Sequence, residues 1–282
     1  MTGTGRLAVS HYICPEGYPV ANFLDAARKA GAGAVGLTVR AIDEVGVSAL
    51  RSMLDDNGLA VSSLNSAGYF TFAEPGRAAE QDRLNQRMLE AAAALDAGVL
   101  CVITGGKEAA SLPLEAARAR IAERLARFAE SARSHDVRLG LEPIHPVDIM
   151  RKGCVNSIAD ALSLAAPLAG VDLIIDLYHS WWDPDLRPAF EAHLPRIALV
   201  QICNLREPAP GRPLDRETLS SGEIDLARLV GFMAACGYSG WYEFELFAHH
   251  LGGRAVEDVL REAASVFATW WDRRVPRKEP PA

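Results

Sequence analysis

The feature that most constrains this chain is the alternation, repeated eight times, of a short apolar run with a longer amphipathic segment. The runs are LAVSHYIC, AVGLTV, LAVSSLNSAGYF, VLCVITGG, VRLGLE, VDLIID, IALVQIC and WYEFELF. Runs of Val, Ile and Leu indicate strands that are buried on both faces, which is typical of a parallel sheet. The clearest helix is LEAARARIAERLARFAESARSH, which has Ile121, Leu125 and Phe128 on one face and charged residues on the other.

Eight strand–helix units in a chain of 282 residues favour a closed (β/α)8 barrel, an α/β fold of one domain. We predict that the barrel spans residues 1–272 and that residues 273–282 form a loose C-terminal tail. A doubly wound open sheet is the alternative. The first strand, however, is not followed by the GxGxxG turn of dinucleotide-binding sheets, which weakens that alternative.

Composition and charge exclude several classes of partner. The net charge of −7 argues against a nucleic-acid surface, which needs a basic stripe. No stretch approaches the roughly 20 apolar residues of a membrane span, and the first residues lack the pattern of a signal peptide. Five cysteines at irregular spacing fit neither a disulfide framework nor a zinc ribbon. We therefore predict a cytoplasmic protein with reduced thiols, and a homo-oligomer stays open.

Four of the predicted strands end at a polar side chain: Glu142, Asp176, Gln201 and Glu245. Burying an unpaired charge at the end of an apolar strand is costly, so these positions need a common partner. Because the carboxyl ends of barrel strands meet at one mouth, the four oxygens are expected to share one ion. Three carboxylates and an amide oxygen suit Mn²⁺ or Mg²⁺ better than Zn²⁺, which favours His and Cys.

Strand eight carries a second glutamate, Glu243, two residues before Glu245. Residues two apart on a strand point the same way, so both carboxylates face the barrel interior, with Glu243 deeper. Two interpretations stay open for Glu243: a partner of the ligand residues, or an ion pair with Arg138. The connection after strand seven, about residues 204–223, is unusually long, and we predict that it forms a partial lid over the mouth.

The motifs LGLEPIHP, DLYHSWWDPDL, SSGEIDL and GYSGWYEFELF resemble those of the sugar phosphate isomerase/epimerase family, the xylose isomerase-like TIM barrels. The resemblance covers nearly the whole chain and is most specific in the second half. It implies a divalent metal, usually Mn²⁺, on the four ligands named above. It also implies that Glu142 and Glu245 flank the substrate as proton donor and acceptor. His179 and His145 then contact the substrate, and Arg206 or Arg216 closes on it.

Further side chains are candidates for the substrate pocket. Trp181 and Trp182 follow strand six at the mouth, where they form either a platform for a sugar or cyclitol ring or a cap on the barrel rim. His11 ends strand one and is a candidate for lining the pocket or for an ordinary buried hydrogen bond.

The favoured function is a metal-dependent isomerase or epimerase that removes a proton next to a carbonyl. The substrate class is a small polyhydroxylated carbonyl compound, such as a keto-sugar or an inosose. Many members of the family carry His where this chain has Gln201, and Gln there resembles the 3-dehydroshikimate dehydratase branch. A lyase therefore stays open, since isomerisation, epimerisation and dehydration all begin with the same proton abstraction. A non-catalytic barrel that acts as a binding or partner subunit is the alternative from another class.

Overall fold

Eight parallel strands close into a barrel in the computed structural model, which describes residues 6–107, 112–206, 211 and 213–274. The barrel strands are β1 (Leu7–Ser10), β2 (Ala34–Thr38), β3 (Ala60–Gly68), β4 (Leu100–Ile103), β5 (Leu139–Leu141), β6 (Val171–Asp176), β7 (Ile197–Ile202) and, after a short hairpin, β10 (Tyr242–Phe244). They follow one another around the barrel in chain order, and β10 closes it by pairing with β1. The predicted single-domain (β/α)8 fold is confirmed.

Helices surround the strands. They are α1 (Val20–Ala30), α2 (Val39–Val45), α3 (Val47–Asn57), α4 (Pro75–Ala94), α5 (Leu114–Ser134), α6 (Ile158–Ala165), α7 (Leu177–Ser180), α8 (Leu186–Ala192), α9 (Leu226–Ala235) and α10 (Val256–Arg274). The last helix runs two residues past the predicted barrel boundary at 272, and residues 275–282 of the predicted tail lie outside the described residues. Within the described ranges, no helix is long and apolar enough to cross a membrane.

Two apolar layers position the site. The larger lies between the strands and the helices, and it accounts for the continuous burial of β1, β2 and β4. A smaller one fills the barrel interior: Val99, Cys101, Ile103, Ile144, Ile174 and Leu199. Gly140 leaves room for this filling, because a Cβ there would lie 2.5 Å from Ile174 Cγ1. The interior is therefore a packed floor rather than a pore, and polar side chains collect above it.

The described part of the connection after β7 contains two short strands. Strands β8 (Asn204–Leu205) and β9 (Arg216–Glu217) form an antiparallel hairpin, in which Leu205 pairs with Arg216. Residues 207–210 and 212 lie outside the described residues, so the predicted lid stays a prediction. The described part has another consequence: the returning strand carries Arg216 back over the barrel mouth.

Candidate active site

The four predicted ligand residues lie at the carboxyl ends of neighbouring strands. Glu142 follows β5 directly, Asp176 ends β6, Gln201 lies in β7, and Glu245 follows β10. Asp176 and Gln201 are paired in register. All four are at most 5% exposed to solvent. The structure thus places these side chains around one buried centre, and their binding of a metal stays a prediction.

Arg216 reaches into this centre from the hairpin. Its Nη2 lies 2.5 Å from Asp176 Oδ2 and 3.2 Å from Glu245 Oε2, and the residue is only 3% exposed. Nη1 donates to the Glu245 carbonyl at 3.3 Å and to Cys203 Sγ at 3.1 Å. The ring of Tyr178 lies 4.4 Å from the guanidinium carbon. A protein cation therefore bridges two of the predicted ligands, an arrangement that the sequence does not indicate.

Two oxygens of the centre have no partner. Glu142 accepts a hydrogen bond from the Cys101 thiol at Oε2 (3.2 Å), but no atom of the described residues bonds to its buried Oε1. Gln201 donates through Nε2, while its buried Oε1 is likewise unsatisfied in the described part of the chain. Buried oxygens without partners are costly, and an arginine that contacts only Asp176 and Glu245 does not satisfy them. Ligand atoms of Glu142, Asp176 and His179 lie within 4.8 Å of one another, so these side chains could hold a cation. Gln201 and Glu245 as its further ligands stay a prediction.

His179 lies between the carboxylates. Its Nε2 is 3.6 Å from Glu142 Oε1 and 3.8 Å from Asp176 Oδ2, while Nδ1 accepts a hydrogen bond from the backbone N–H of His145 at 3.2 Å. Burial, reinforced by the positive charge of Lys152, lowers the pKa of His179 well below its usual range. The ring is therefore neutral, and with Nδ1 accepting, its single proton is on Nε2, which faces the carboxylates.

Lys152 is a site residue that sequence reasoning missed. Its Nζ lies 3.1 Å from His179 Nε2, and the described ranges place no other hydrogen-bonding atom within reach of it. A neutral imidazole has one lone pair, so Nε2 cannot accept from Lys152 while Nδ1 accepts from the His145 backbone. Although burial lowers the pKa of Lys152, the charge of Glu142 raises it above its usual value, so the amine stays cationic. Its N–H groups are therefore available to a ligand oxygen.

A close backbone approach brings Lys152 into the site. The 3-10 turn Pro146–Asp148 and the residues after it pack against the end of β4, where Lys107 N–H donates to the Ile149 carbonyl at 3.0 Å. A Cβ at Gly106 would lie 2.5 Å from the backbone of Arg151, so only glycine allows this contact. The sequence shows the Gly105-Gly106 pair, but it does not show which segment packs on it.

The titration of the carboxyl groups divides them into two kinds. Burial raises the pKa of Glu142 and of Glu245, the latter to about 8, against the opposing charges of Lys152 and Arg216 respectively. Burial also acts upward on Asp176, but the Arg216 guanidinium brings the pKa of Asp176 below its usual range. Asp176 therefore favours the anion, whereas Glu245 can carry a proton at neutral pH, and the pKa of Glu142 is shifted in the same direction as that of Glu245.

Glu243 lies one rung deeper, paired in register with Gln201. Its Oε1 accepts from Gln201 Nε2 at 3.1 Å, and its Oε2 accepts from the hydroxyls of Ser62 and Ser63 at 2.6 and 2.7 Å. The predicted inward orientation of Glu243 is thus observed, and of its two interpretations the structure favours the partner of a ligand residue.

The proposed ion pair of Glu243 with Arg138 is wrong. Arg138 precedes β5, at the opposite end of the barrel from the mouth, and its Nε lies 2.7 Å from Asp172 Oδ2. Of the two candidate arginines, Arg206 does not reach the centre in this structure. It pairs instead with Asp215 (3.0 Å) and Glu217 (3.2 Å) on the hairpin.

The remaining predicted pocket residues differ in accessibility. Trp181 and Trp182 are 40% and 38% exposed, and the His145 ring lies 5.6 Å from that of Trp182, so His145 and Trp182 pack together with Trp181 next to them in the chain. His11, in contrast, is fully buried beside Phe23, with Nδ1 2.8 Å from Thr38 Oγ1. Burial lowers the pKa of His11 to about 4. The structure thus shows the buried hydrogen bond of His11, and a contact of His11 with the substrate stays a prediction.

An open cleft of about 500 Å³ adjoins the centre. Its wall includes Tyr12, Arg40, Asn65, Tyr69 and Phe247. Tyr12 and Phe247 connect it to the charged centre: burial and then the nearby Glu245 charge raise the pKa of Tyr12, and the Phe247 ring lies 5.2 Å from the Arg216 guanidinium carbon. The cleft therefore offers aromatic walls and polar groups to a small molecule beside the carboxylates.

The fold and this centre define the class of protein first: a (β/α)8 barrel with buried carboxyl groups at the carboxyl ends of its strands, where barrel enzymes have their active sites. The sequence then shows the family. The model of the xylose isomerase-like TIM barrel family matches residues 24–270, and the chain belongs to this family, as the resemblance implied. A comparison with curated proteins finds no match.

Solved structures with the same fold include three informative neighbours. Protein SMc04130 from Sinorhizobium meliloti 1021 is 28% identical, with a TM-score of 0.87 over 94% of this chain and 98% of that one. The IOLI protein with a bound zinc atom is 16% identical (TM-score 0.81; 96% and 99% covered). L-ribulose 3-epimerase is 19% identical (TM-score 0.76; 98% and 99% covered). The last two likenesses show the shared fold. Membership of the xylose isomerase-like family supports the prediction that this chain is an enzyme.

Proposed function

We propose that the protein is a divalent-metal-dependent isomerase or epimerase that acts on a small keto-sugar or an inosose-like substrate. The observation that carries the proposal is the pair of unsatisfied buried oxygens, Glu142 Oε1 and Gln201 Oε1, beside the carboxylates of Asp176 and Glu245. Oxygen donors of this kind favour Mn²⁺ or Mg²⁺. The IOLI neighbour, whose structure holds a zinc atom, supports metal binding without deciding which metal this chain would bind.

The proton chemistry belongs to the two glutamates. When bound, the metal would polarise the substrate carbonyl and so acidify the neighbouring C–H group. Glu142 and Glu245 have raised pKa values, so one can take that proton and the other can return one, to the adjacent carbon or to the opposite face. The first outcome is an isomer and the second an epimer. Asp176 stays ionised and serves as a ligand.

Cations and aromatic groups would hold the substrate. Proton abstraction leaves an enediolate, whose negative charge the Lys152 ammonium and the Arg216 guanidinium are placed to stabilise. His179 presents an N–H between the carboxylates, suited to a substrate hydroxyl. The side chains of His145, Trp181 and Trp182 suit the apolar face of a sugar or cyclitol ring.

A dehydratase is the second candidate, and Lys152 favours it. Elimination of a β-hydroxyl from a cyclic hydroxy-ketone needs a cationic group at the leaving oxygen, and 3-dehydroshikimate also carries a carboxylate that a lysine can bind. Lys152 supplies such a cation beside His179. The non-catalytic barrel is favoured by one observation, the Arg216 bridge between Asp176 and Glu245, which would then be a permanent ion pair.

Activity on a panel separates these functions. Protein loaded with Mn²⁺ is incubated in deuterated water with keto-sugars, inososes and 3-dehydroshikimate, and the products are followed by NMR. We expect exchange of a carbon-bound proton without loss of mass; loss of water with a new conjugated carbonyl would identify the dehydratase. Stoichiometric Mn or Mg in elemental analysis is expected as well. We also propose a cytoplasmic location, which the five free thiols support.

The variant Glu142→Gln tests the role of the base. It keeps the side-chain volume but removes the proton acceptor, so turnover should fall by about 10²-fold or more. Glu130→Gln, an exposed position on α5, is the matched control and should retain activity. Full activity of Glu142→Gln would disprove the assignment, and a barrel that turns over no panel member and binds no metal would support the non-catalytic alternative.

A further inference from the structure

Glu243 is a buried carboxyl group that the chemistry proposed above does not use. Glu243 is fully buried. Within the described ranges, its carboxyl group accepts hydrogen bonds from three donors: Gln201 Nε2, Ser62 Oγ and Ser63 Oγ. Three donors at one carboxyl group, 2.6 to 3.1 Å away, hold it in one orientation. Burying a carboxyl group costs free energy, and these three hydrogen bonds offset part of that cost.

The surroundings of Glu243 are shaped for it. At Gly36 in β2, which β1 separates from β10, a Cβ would lie 2.4 Å from Glu243 Oε2, so any larger residue would displace the carboxyl group. Asn65 Nδ2 donates to Ser63 Oγ at 2.7 Å, which leaves the Ser63 hydroxyl proton to point at Glu243. Four strands of the barrel, β2, β3, β7 and β10, thus contribute to this one position.

The consequence concerns Gln201. A glutamine amide has a donor end and an acceptor end, and on torsional grounds alone either can face a ligand. Because Nε2 donates to Glu243, the acceptor Oε1 is turned away from Glu243, and this oxygen is the one that lacks a partner. An amide nitrogen does not bind a divalent cation, whereas an amide oxygen does.

We propose that Glu243 is a positioning residue that orients Gln201 so that the carbonyl oxygen, and not the amide nitrogen, faces the bound divalent cation. The inference rests on the proposed function, since it requires that the four side chains bind a metal. It assigns to the deeper glutamate of strand eight a role in metal affinity at a distance from the metal, through a single hydrogen bond.

The test is a titration of metal-free protein with Mn²⁺, in which the free ion is measured by electron paramagnetic resonance. We expect Glu243→Ala to weaken Mn²⁺ binding by about 10–100-fold, the usual effect of removing a group that orients a metal ligand. Glu243→Gln keeps an oxygen that accepts from Gln201 Nε2, so its affinity should stay within about threefold of the wild type.

A double-mutant cycle with Gln201→Ala distinguishes positioning from general destabilisation. If Glu243 acts through Gln201, then Glu243→Ala causes no further loss of Mn²⁺ affinity once Gln201 is alanine. A merely structural role predicts that the two losses add. Should Glu243→Ala fail to fold, the double variant Ser62→Ala with Ser63→Ala removes two of the three donors that hold the carboxyl group, and its Mn²⁺ affinity should fall as well.

The outcomes separate the two proposals. If the wild type binds no Mn²⁺, the proposed metal site is wrong and the role of Glu243 falls with it. If the wild type binds Mn²⁺ but folded Glu243→Ala binds it equally well, or if the losses in the cycle add, only the positioning role is overturned. If the variant with Ser62→Ala and Ser63→Ala binds Mn²⁺ as tightly as the wild type, the positioning role is likewise overturned.

Discussion

Removing the guanidinium from the centre distinguishes a metal site from a permanent ion pair. In Arg216→Met, an unbranched apolar side chain replaces a residue that is 3% exposed and lies 2.5 Å from Asp176 and 3.2 Å from Glu245. Breaking a buried pair by deleting one partner costs about 3–5 kcal/mol, because the other charge stays buried. At about 2–4 °C per kcal/mol, the Tm of metal-free protein should fall by roughly 6–20 °C.

Mn²⁺ should reverse this loss if the carboxylates are metal ligands. Binding only to the folded state adds about 2.7 kcal/mol at a concentration 100 times Kd. In the variant the competing cation is gone, so the gain in Tm on adding Mn²⁺ should exceed that of the wild type. The assay is thermal unfolding by circular dichroism, in EDTA and in a Mn²⁺ series.

A matched control comes from the same hairpin. Arg206 pairs with Asp215 and Glu217, but all three side chains are 24–36% exposed. Pairs with this exposure contribute about 0–1 kcal/mol, so Arg206→Met should change the Tm little and leave the Mn²⁺ response unaltered. An Arg216→Met protein that unfolds in EDTA at the wild-type temperature, or that gains no more from Mn²⁺ than the wild type, would refute the reasoning.

Two further predictions follow from the same contacts. With the substrate that the panel identifies, Lys152→Met should lower kcat/KM by about 10²-fold while Lys152→Arg retains part of it, because the role of Lys152 is its positive charge; equal activity of wild type and Lys152→Met would contradict this. Burial raises the pKa of Glu245 to about 8 against the opposing Arg216 charge, so the metal-free folded protein keeps a proton that the unfolded chain releases above about 4.5. Its stability therefore falls as pH rises from about 5 to 8, and the Tm gain from Mn²⁺, which displaces that proton, should increase over the same range. A Tm gain that decreases with pH would exclude this linkage.

The barrel was predictable because its signal is local and repeated. An apolar run in the sequence indicates each strand, and a polar residue at the end of such a run indicates the mouth of the barrel. This is how Glu142, Asp176, Gln201 and Glu245 were found. The spacing between these four residues does not identify them; each is identified because it lies at or near the end of a buried strand.

The cations could not be assigned in the same way. Lys152 follows a 3-10 turn outside any strand, so no periodicity indicates where it points, and its position depends on the contact of Gly106 with the backbone of Arg151. Arg206 and Arg216 were equivalent in the sequence. The hairpin pairing places Arg216 inward and leaves Arg206 with Asp215, which is a matter of register that no local pattern specifies.

Charge balance explains why a centre with three buried carboxylates can fold before it binds a metal. Arg216 and Lys152 offset two of the three charges, and the raised pKa values of the glutamates let a proton offset the third. A divalent cation that displaces the proton gives this neutral centre an excess of one positive charge. The metal-loaded site is then electrostatically suited to a substrate that becomes an anion during the reaction, which proton abstraction next to a carbonyl produces. The same two cations that permit folding without the metal thus become the groups that stabilise the charge of the reaction intermediate.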